Sequence, residues 1–182
     1  MNEPPDVKSS KLVFEGRVFK ITVDEVAYGD GRVVRMDVVR HPGSVVLMPM
    51  TATGRILLVQ QYRYAVDEWL WELPAGTREP DEPLEAAAIR ECHEEVGKIA
   101  GRAEKVFSFF PSPGFCTEEM HFFRLTALRD RREDEAAPHQ DPDEVLRVRE
   151  FSVEDVRVMI KSGEIRDMKT ALGIALLALP HL

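Results

Sequence analysis

Three glutamates, Glu91, Glu94 and Glu95, crowd the segment PLEAAAIRECHEEV. Glu91 and Glu95 are four residues apart, so on a helix they stack on one face with Glu94 beside them. Like charges at that spacing repel by roughly 0.2–0.5 kcal/mol per pair, and by more where they are partly buried. Such a cluster is sensible only where water solvates it or a cation neutralises it. Oxygen ligands alone favour magnesium, manganese or calcium. On the three acids alone, a solvated face is the simpler reading, and the residues around them must decide.

Those residues decide for the cation. From Gly76 to Gly97 the sequence resembles the Nudix hydrolase signature G-x5-E-x7-R-E-U-x-E-E-x-G-U, where U is a bulky apolar residue. Gly76, Glu82, Arg90, Glu91, Glu94, Glu95 and Gly97 all match; Cys92 is acceptable at the first U, and Lys98 departs at the second. Identities at so many fixed spacings are a specific signal, far stronger than a lone glycine motif. The resemblance implies a loop-helix-loop unit that binds a divalent cation, Mg2+ with Mn2+ as the alternative. By position it implies Glu91 and Glu95 as principal metal ligands, Glu94 and Glu82 as further acids, and the Ala75 carbonyl as a backbone ligand. Arg90 is implied either as the group that orients Glu94 for the chemistry or as a structural salt bridge.

Nudix enzymes cleave a nucleoside diphosphate linked to another moiety, and the flanking residues narrow which. LWELPAG leading into the signature, QQYR before it, SPGF after it and DEVLRV further on resemble the ADP-ribose pyrophosphatase branch, over roughly Arg40 to Val148. Asp167 and Thr170 fit the branch's usual ending. The resemblance implies hydrolysis of ADP-ribose, or a related nucleoside diphosphate sugar, to a nucleoside monophosphate and a sugar phosphate. It implies Arg63 as a phosphate contact; Arg40, just before the loop HPG, is a second candidate. Glu72 is either near the nucleotide or paired to an arginine, and Pro113 is tied to ADP-ribose preference. A glutamate at the place of Glu144 is implied as general base, with Asp143 and Asp141 as rivals. A broader hydrolase acting on ADP-glucose or GDP-mannose, and a nucleotide-sensing module without turnover, are the alternatives.

Composition agrees with a small-molecule enzyme. The chain has 182 residues, 44% hydrophobic and 31% charged, which suits one globular domain with a small appended element. Its net charge of −8 argues against gripping nucleic acid by bulk positive charge. Metal and arginine must therefore supply the local cations for a pyrophosphate. Cys92 and Cys116 have no companion cluster, so a reducing cytoplasm is the expected compartment. His93 and His121 have no ligand spacing. The opening MNEPPDVKSSK lacks the apolar run of a signal peptide and is expected to be a flexible tail. The longest apolar stretch falls short of the roughly 20 residues of a membrane span.

The elements that must position these residues follow from periodicity. GRVFKITVDEVAY and RVVRMDVVRH alternate as strands around a Gly29-Asp30-Gly31 turn. SVVLMPM and RILLVQQYR have the branched residues of central strands. PLEAAAIRECHEEV reads as one α-helix, with Pro83 in its first turn and Gly97 as its stop. KVFSFFPSPGF, MHFFRLTALR and LRVREFS read as strands, with a polar surface loop before the last. VEDVRVMIKSG and DMKTALGIALLAL read as helices, the second capped near Asp167. The fold expected is α/β (α+β): a Nudix-type α/β/α sandwich with a mixed sheet and an N-terminal antiparallel hairpin region. Residues 1–10 are expected as tail, 11–41 as the N-terminal β region and 42–182 as the hydrolase domain. The resemblance also implies a homodimer with exchanged N-terminal strands and a small-molecule substrate, while the net charge and the short apolar stretches argue against nucleic acid and membrane as partners. Phe19, Tyr28 and Trp71 are candidates for stacking on the base, or core residues.

Overall fold

Alternating apolar and polar residues over Phe19–Asp24 and Val34–Val38 mark two strands of the N-terminal region. The computed structural model describes residues 4–135, 137 and 145–179. The chain divides into two units, Met1–Ser44 with Ser108–Met120, and Val45–Phe107 with His121–Leu182.

In the first unit, β1 (Asp6–Glu15), β2 (Lys20–Ala27) and β3 (Val33–Arg40) pair antiparallel in the order β1-β2-β3. The predicted turn joins β2 to β3, with Gly31 at φ 87°, a left-handed conformation that glycine adopts without steric cost. Residues 6–10, expected as tail, are strand instead. Their serines supply the reason, because Ser9 and Ser10 donate hydroxyl hydrogen bonds to Glu25 (3.0 Å) and Asp24 (2.6 Å) on β2. Beside β3, Val39 donates its N–H to the Phe115 carbonyl (2.8 Å) and accepts from the Thr117 N–H (2.9 Å). All ten residues of β1 are exposed, including Val7, Leu12, Val13 and Phe14.

The second unit is layered. β4 (Ser44–Pro49) and β9 (Met120–Asp130) are the inner strands of a four-stranded sheet with β7 (Ala75–Thr77) and β8 (Lys98–Phe109), in the order β7-β4-β9-β8. Successive side chains of a strand point to opposite faces. Val45, Leu47, Phe123 and Leu125 accordingly pack with Ala87 and Ala88 of the first helix and with Cys92 just after it. Met48 and Phe122 face the other way, toward Gly173 of the last helix, where an added Cβ would lie 2.4 Å from Leu73 Cδ1. This is the α/β/α arrangement expected. A second, antiparallel sheet in the order β10-β5-β6 joins β5 (Ile56–Arg63), β6 (Glu68–Glu72) and β10 (Arg147–Phe151). Both predicted central strands, β4 and β5, lie inside their sheets.

Helix α1 (Leu84–Glu91) starts after Pro83 as N-cap and gives way at Cys92–Val96 to a π-helical turn, which Gly97 closes at φ 71°. One continuous α-helix was the expectation; the wider turn carries Glu94 and Glu95, and such turns recur at functional sites. α2 (Val153–Ser162) begins with a Ser152–Asp155 capping box and stops at Gly163. α3 (Met168–Leu176) is capped by Asp167, as predicted. Among the described residues, no helix is long and apolar enough to cross a membrane.

Candidate functional site

The candidate site is built where β7 meets α1 and its π turn, all within the second unit. Glu91 and Glu95 are only 8% and 7% exposed, which excludes a solvated acidic face. Arg90 sits among the acids. Its guanidinium donates to both carboxylate oxygens of Glu82 (2.9 Å each), to Glu91 (2.7 Å), to Glu94 (2.7 Å) and to the Thr77 carbonyl (3.4 Å). The Arg90 hydrogen bonds outweigh burial and hold the Glu82 carboxyl below the usual carboxylate range. The same bonds push Arg90 further up, so it stays charged. Glu95 accepts the Ala75 N–H (3.1 Å). Beneath them, burial, aided by the Glu95 charge, pushes the Cys92 thiol up to about 12, so it packs as a neutral small apolar group.

The donor set suits a hard divalent cation, since Glu82, Glu91, Glu94, Glu95 and the backbone at Ala75 offer oxygen alone. The space that a side chain at position 76 would fill is taken by the Glu91 carboxylate, so β7 and α1 form a cradle of carboxylate and backbone. Among the described residues, no three His, Cys, Asp or Glu side chains close into a metal-binding group. The geometry explains why, because Glu82, Glu91 and Glu94 are turned onto the Arg90 cation.

A second cluster lies at the end of β5. Arg63 forks onto Glu72 through Nε (2.8 Å) and Nη2 (2.7 Å), and Lys169 of α3 donates to the same Glu72 oxygen as Nη2. Lys169 also pairs with Asp167 (3.1 Å), and the Thr170 hydroxyl accepts the Leu73 N–H (2.7 Å) while donating to Asp167 (2.5 Å). Burial pushes the Glu72 carboxyl up, but the Arg63 hydrogen bonds and the Lys169 charge outweigh it and leave it below its ordinary value. Arg63 is raised by the Glu72 hydrogen bonds, which outweigh its burial, with smaller contributions from the charges of Glu72, Glu95 and Asp167.

Arg40 and Pro113 belong to the first unit. There Arg40 donates to Asp24 and to the Thr22 hydroxyl (3.2 Å), and Pro113 is exposed in a turn where Ser112 accepts the Cys116 N–H (2.9 Å). Glu144, Asp143 and Asp141 lie outside the described residues. Trp71 meets Phe151 edge-on at 5.1 Å, Phe19 tilts against Phe14, and Tyr28 lies under Arg32. Sequence reasoning passed over Lys169. A signal existed, since a lysine in the first turn of an otherwise apolar helix opposes the helix dipole and calls for buried anions nearby.

The NUDIX domain family matches residues 39–170. An ADP-ribose pyrophosphatase of Bacillus subtilis (strain 168) is 35% identical over 174 residues, covering 94% of this chain and 91% of that protein. A methanol dehydrogenase activator of Bacillus methanolicus is 34% identical over 170 residues, covering 93% and 90%. The crystal structure of an ADP compounds hydrolase superposes with a TM-score of 0.76 over 97% of this chain and 94% of that one; at 17% identity this likeness is one of fold.

Proposed function

This chain belongs to the NUDIX family, and from that premise we propose that it is a magnesium-dependent pyrophosphatase hydrolysing ADP-ribose, or a related nucleoside diphosphate sugar, to a nucleoside monophosphate and a sugar phosphate. With ADP-ribose and water the products are AMP and ribose 5-phosphate. The observation that carries this reading is the gathering of Glu82, Glu91 and Glu94 around the Arg90 guanidinium beside the buried Glu95, which is bound to the Ala75 backbone.

Glu91, Glu95 and the Ala75 carbonyl are assigned as principal ligands, with Glu94 and Glu82 as further acids. A divalent cation held there supplies charge neutralisation for the phosphates and lowers the pKa of a water. Arg90 holds Glu82, Glu91 and Glu94 together and keeps Glu82 ionised. Arg63 binds the diphosphate, where an arginine's planar fork suits phosphate oxygens. Glu72, buried and fully engaged, acts on the substrate by orienting Arg63 rather than by touching it. Glu144 is assigned as the base that takes the proton from the attacking water, and Arg40 and Pro113 as further substrate contacts. The exposed apolar residues along β1 support a homodimer with exchanged N-terminal strands. The compartment assigned is the cytoplasm.

The test is a panel of ADP-ribose, ADP-glucose and GDP-mannose compared by kcat/KM with magnesium, with products identified. ADP-ribose ranking first supports the narrow reading, and another sugar ranking first replaces it with the broader one. Absence of turnover on all of them rejects the proposal.

A further inference from the structure

The Glu72 carboxylate serves two cations of different standing. Arg63 is 40% exposed and reaches Glu72 through its Nε/Nη2 edge, which leaves Nη1 outside the fork. Lys169 is buried, its side chain 8% exposed, and is shared between Glu72 and Asp167. The cluster therefore balances two cations against two anions, with Arg63 as its exposed member. A carboxylate that neutralised Arg63 alone would cancel the charge the diphosphate needs. One already drawn to a second cation cancels less of it. Lys169 is not explained by helix stability, since a cation in the first turn of α3 opposes the dipole, and apolar residues replace buried ion pairs at little cost.

We propose that Lys169 is a positioning residue that sets how much of the Arg63 charge reaches the substrate diphosphate, acting through the Glu72 carboxylate that the two cations share. This rests on the reading of Arg63 as the diphosphate-binding arginine. It makes the N-terminus of α3 a determinant of substrate affinity without contact with substrate. Removing the Lys169 charge leaves the cluster net negative and weakens binding. Neutralising Asp167 lets Lys169 draw more fully on Glu72 and strengthens binding.

Steady-state KM and kcat for ADP-ribose with magnesium test this, with folding checked by circular dichroism. Lys169→Met is expected to raise KM about tenfold at nearly constant kcat, the size of one unit charge acting on a diphosphate across partly screened protein. Lys169→Arg restores the wild-type KM. Asp167→Asn, which keeps a good helix cap, is expected to lower KM about threefold, an outcome that a merely structural role does not produce. If Lys169→Met does not fold, Asp167→Asn decides alone. A KM for Asp167→Asn at or above the wild-type value overturns the proposal. Arg63→Ala is measured alongside. An unchanged KM there rejects the reading of Arg63 itself, whereas a raised KM there with no gain for Asp167→Asn rejects this inference alone.

Discussion

A Cβ placed on Gly76 would lie 1.9 Å from Cδ of Glu91 and 2.1 Å from each of its carboxylate oxygens. No L side chain fits there unless Glu91 leaves, so the glycine of the signature exists to let a carboxylate rest against the β7 backbone. Gly76→Ala is therefore expected to turn Glu91 out of the cradle. A displacement of about 1 Å near the chemistry costs on the order of a hundredfold in rate, and overpacking costs about 1–3 kcal/mol of stability. Kinetics together with a urea melt read both. Near-wild-type turnover would show that Glu91 is not needed at this place.

Arg90 is the cation that Glu82, Glu91 and Glu94 share. Arg90→Met leaves the buried Glu91 and the half-buried Glu82 and Glu94 facing one another without their cation, a loss on the order of 3 kcal/mol. A divalent ion that binds the same acids should repay the variant more than the wild type, because it relieves a larger repulsion. Thermal melts with and without millimolar magnesium measure this. An equal gain in Tm for the two proteins would mean that the ion binds elsewhere.

How much of this was legible from residue types depends on the range of the interaction. The acids of α1, Gly76 and Gly97 could be read because each chemical demand falls at a fixed local spacing. The caps at Asp167 and Gly97 were legible for the same reason. The π turn at Cys92–Val96 was not, since a five-residue change of pitch leaves no periodicity to detect. The strand at Asp6–Ser10 was hidden because its stability comes from β2 partners such as Asp24 and Glu25, not from its own pattern. The pairing of Lys169 with Glu72 spans 97 residues, and only the layering of α3 on the sheet creates it.

Thr170 joins two parts of the fold, accepting the Leu73 N–H through its hydroxyl and donating its own N–H and hydroxyl to the Asp167 cap. Thr170→Val keeps the shape and removes the hydroxyl, leaving a buried N–H without its acceptor. The expected loss is about 1–3 kcal/mol in a urea melt, largely recovered in Thr170→Ser. A wild-type midpoint for Thr170→Val would show that Leu73 finds another partner.

Acid stability should report Glu72 directly. Burial pushes its carboxyl up, and the Arg63 hydrogen bonds with the Lys169 charge bring it below the ordinary range. The unfolded chain then binds more protons than the folded one between those two values, so stability rises with pH across that window. The contribution is complete above the unfolded glutamate value of about 4.3 and is lost as pH falls through the lower folded one. Glu72→Gln is expected to be less stable at neutral pH yet flatter in acid, so that its urea midpoints approach the wild-type values as pH drops below about 4. Two parallel curves would mean that Arg63 and Lys169 do not hold Glu72 ionised.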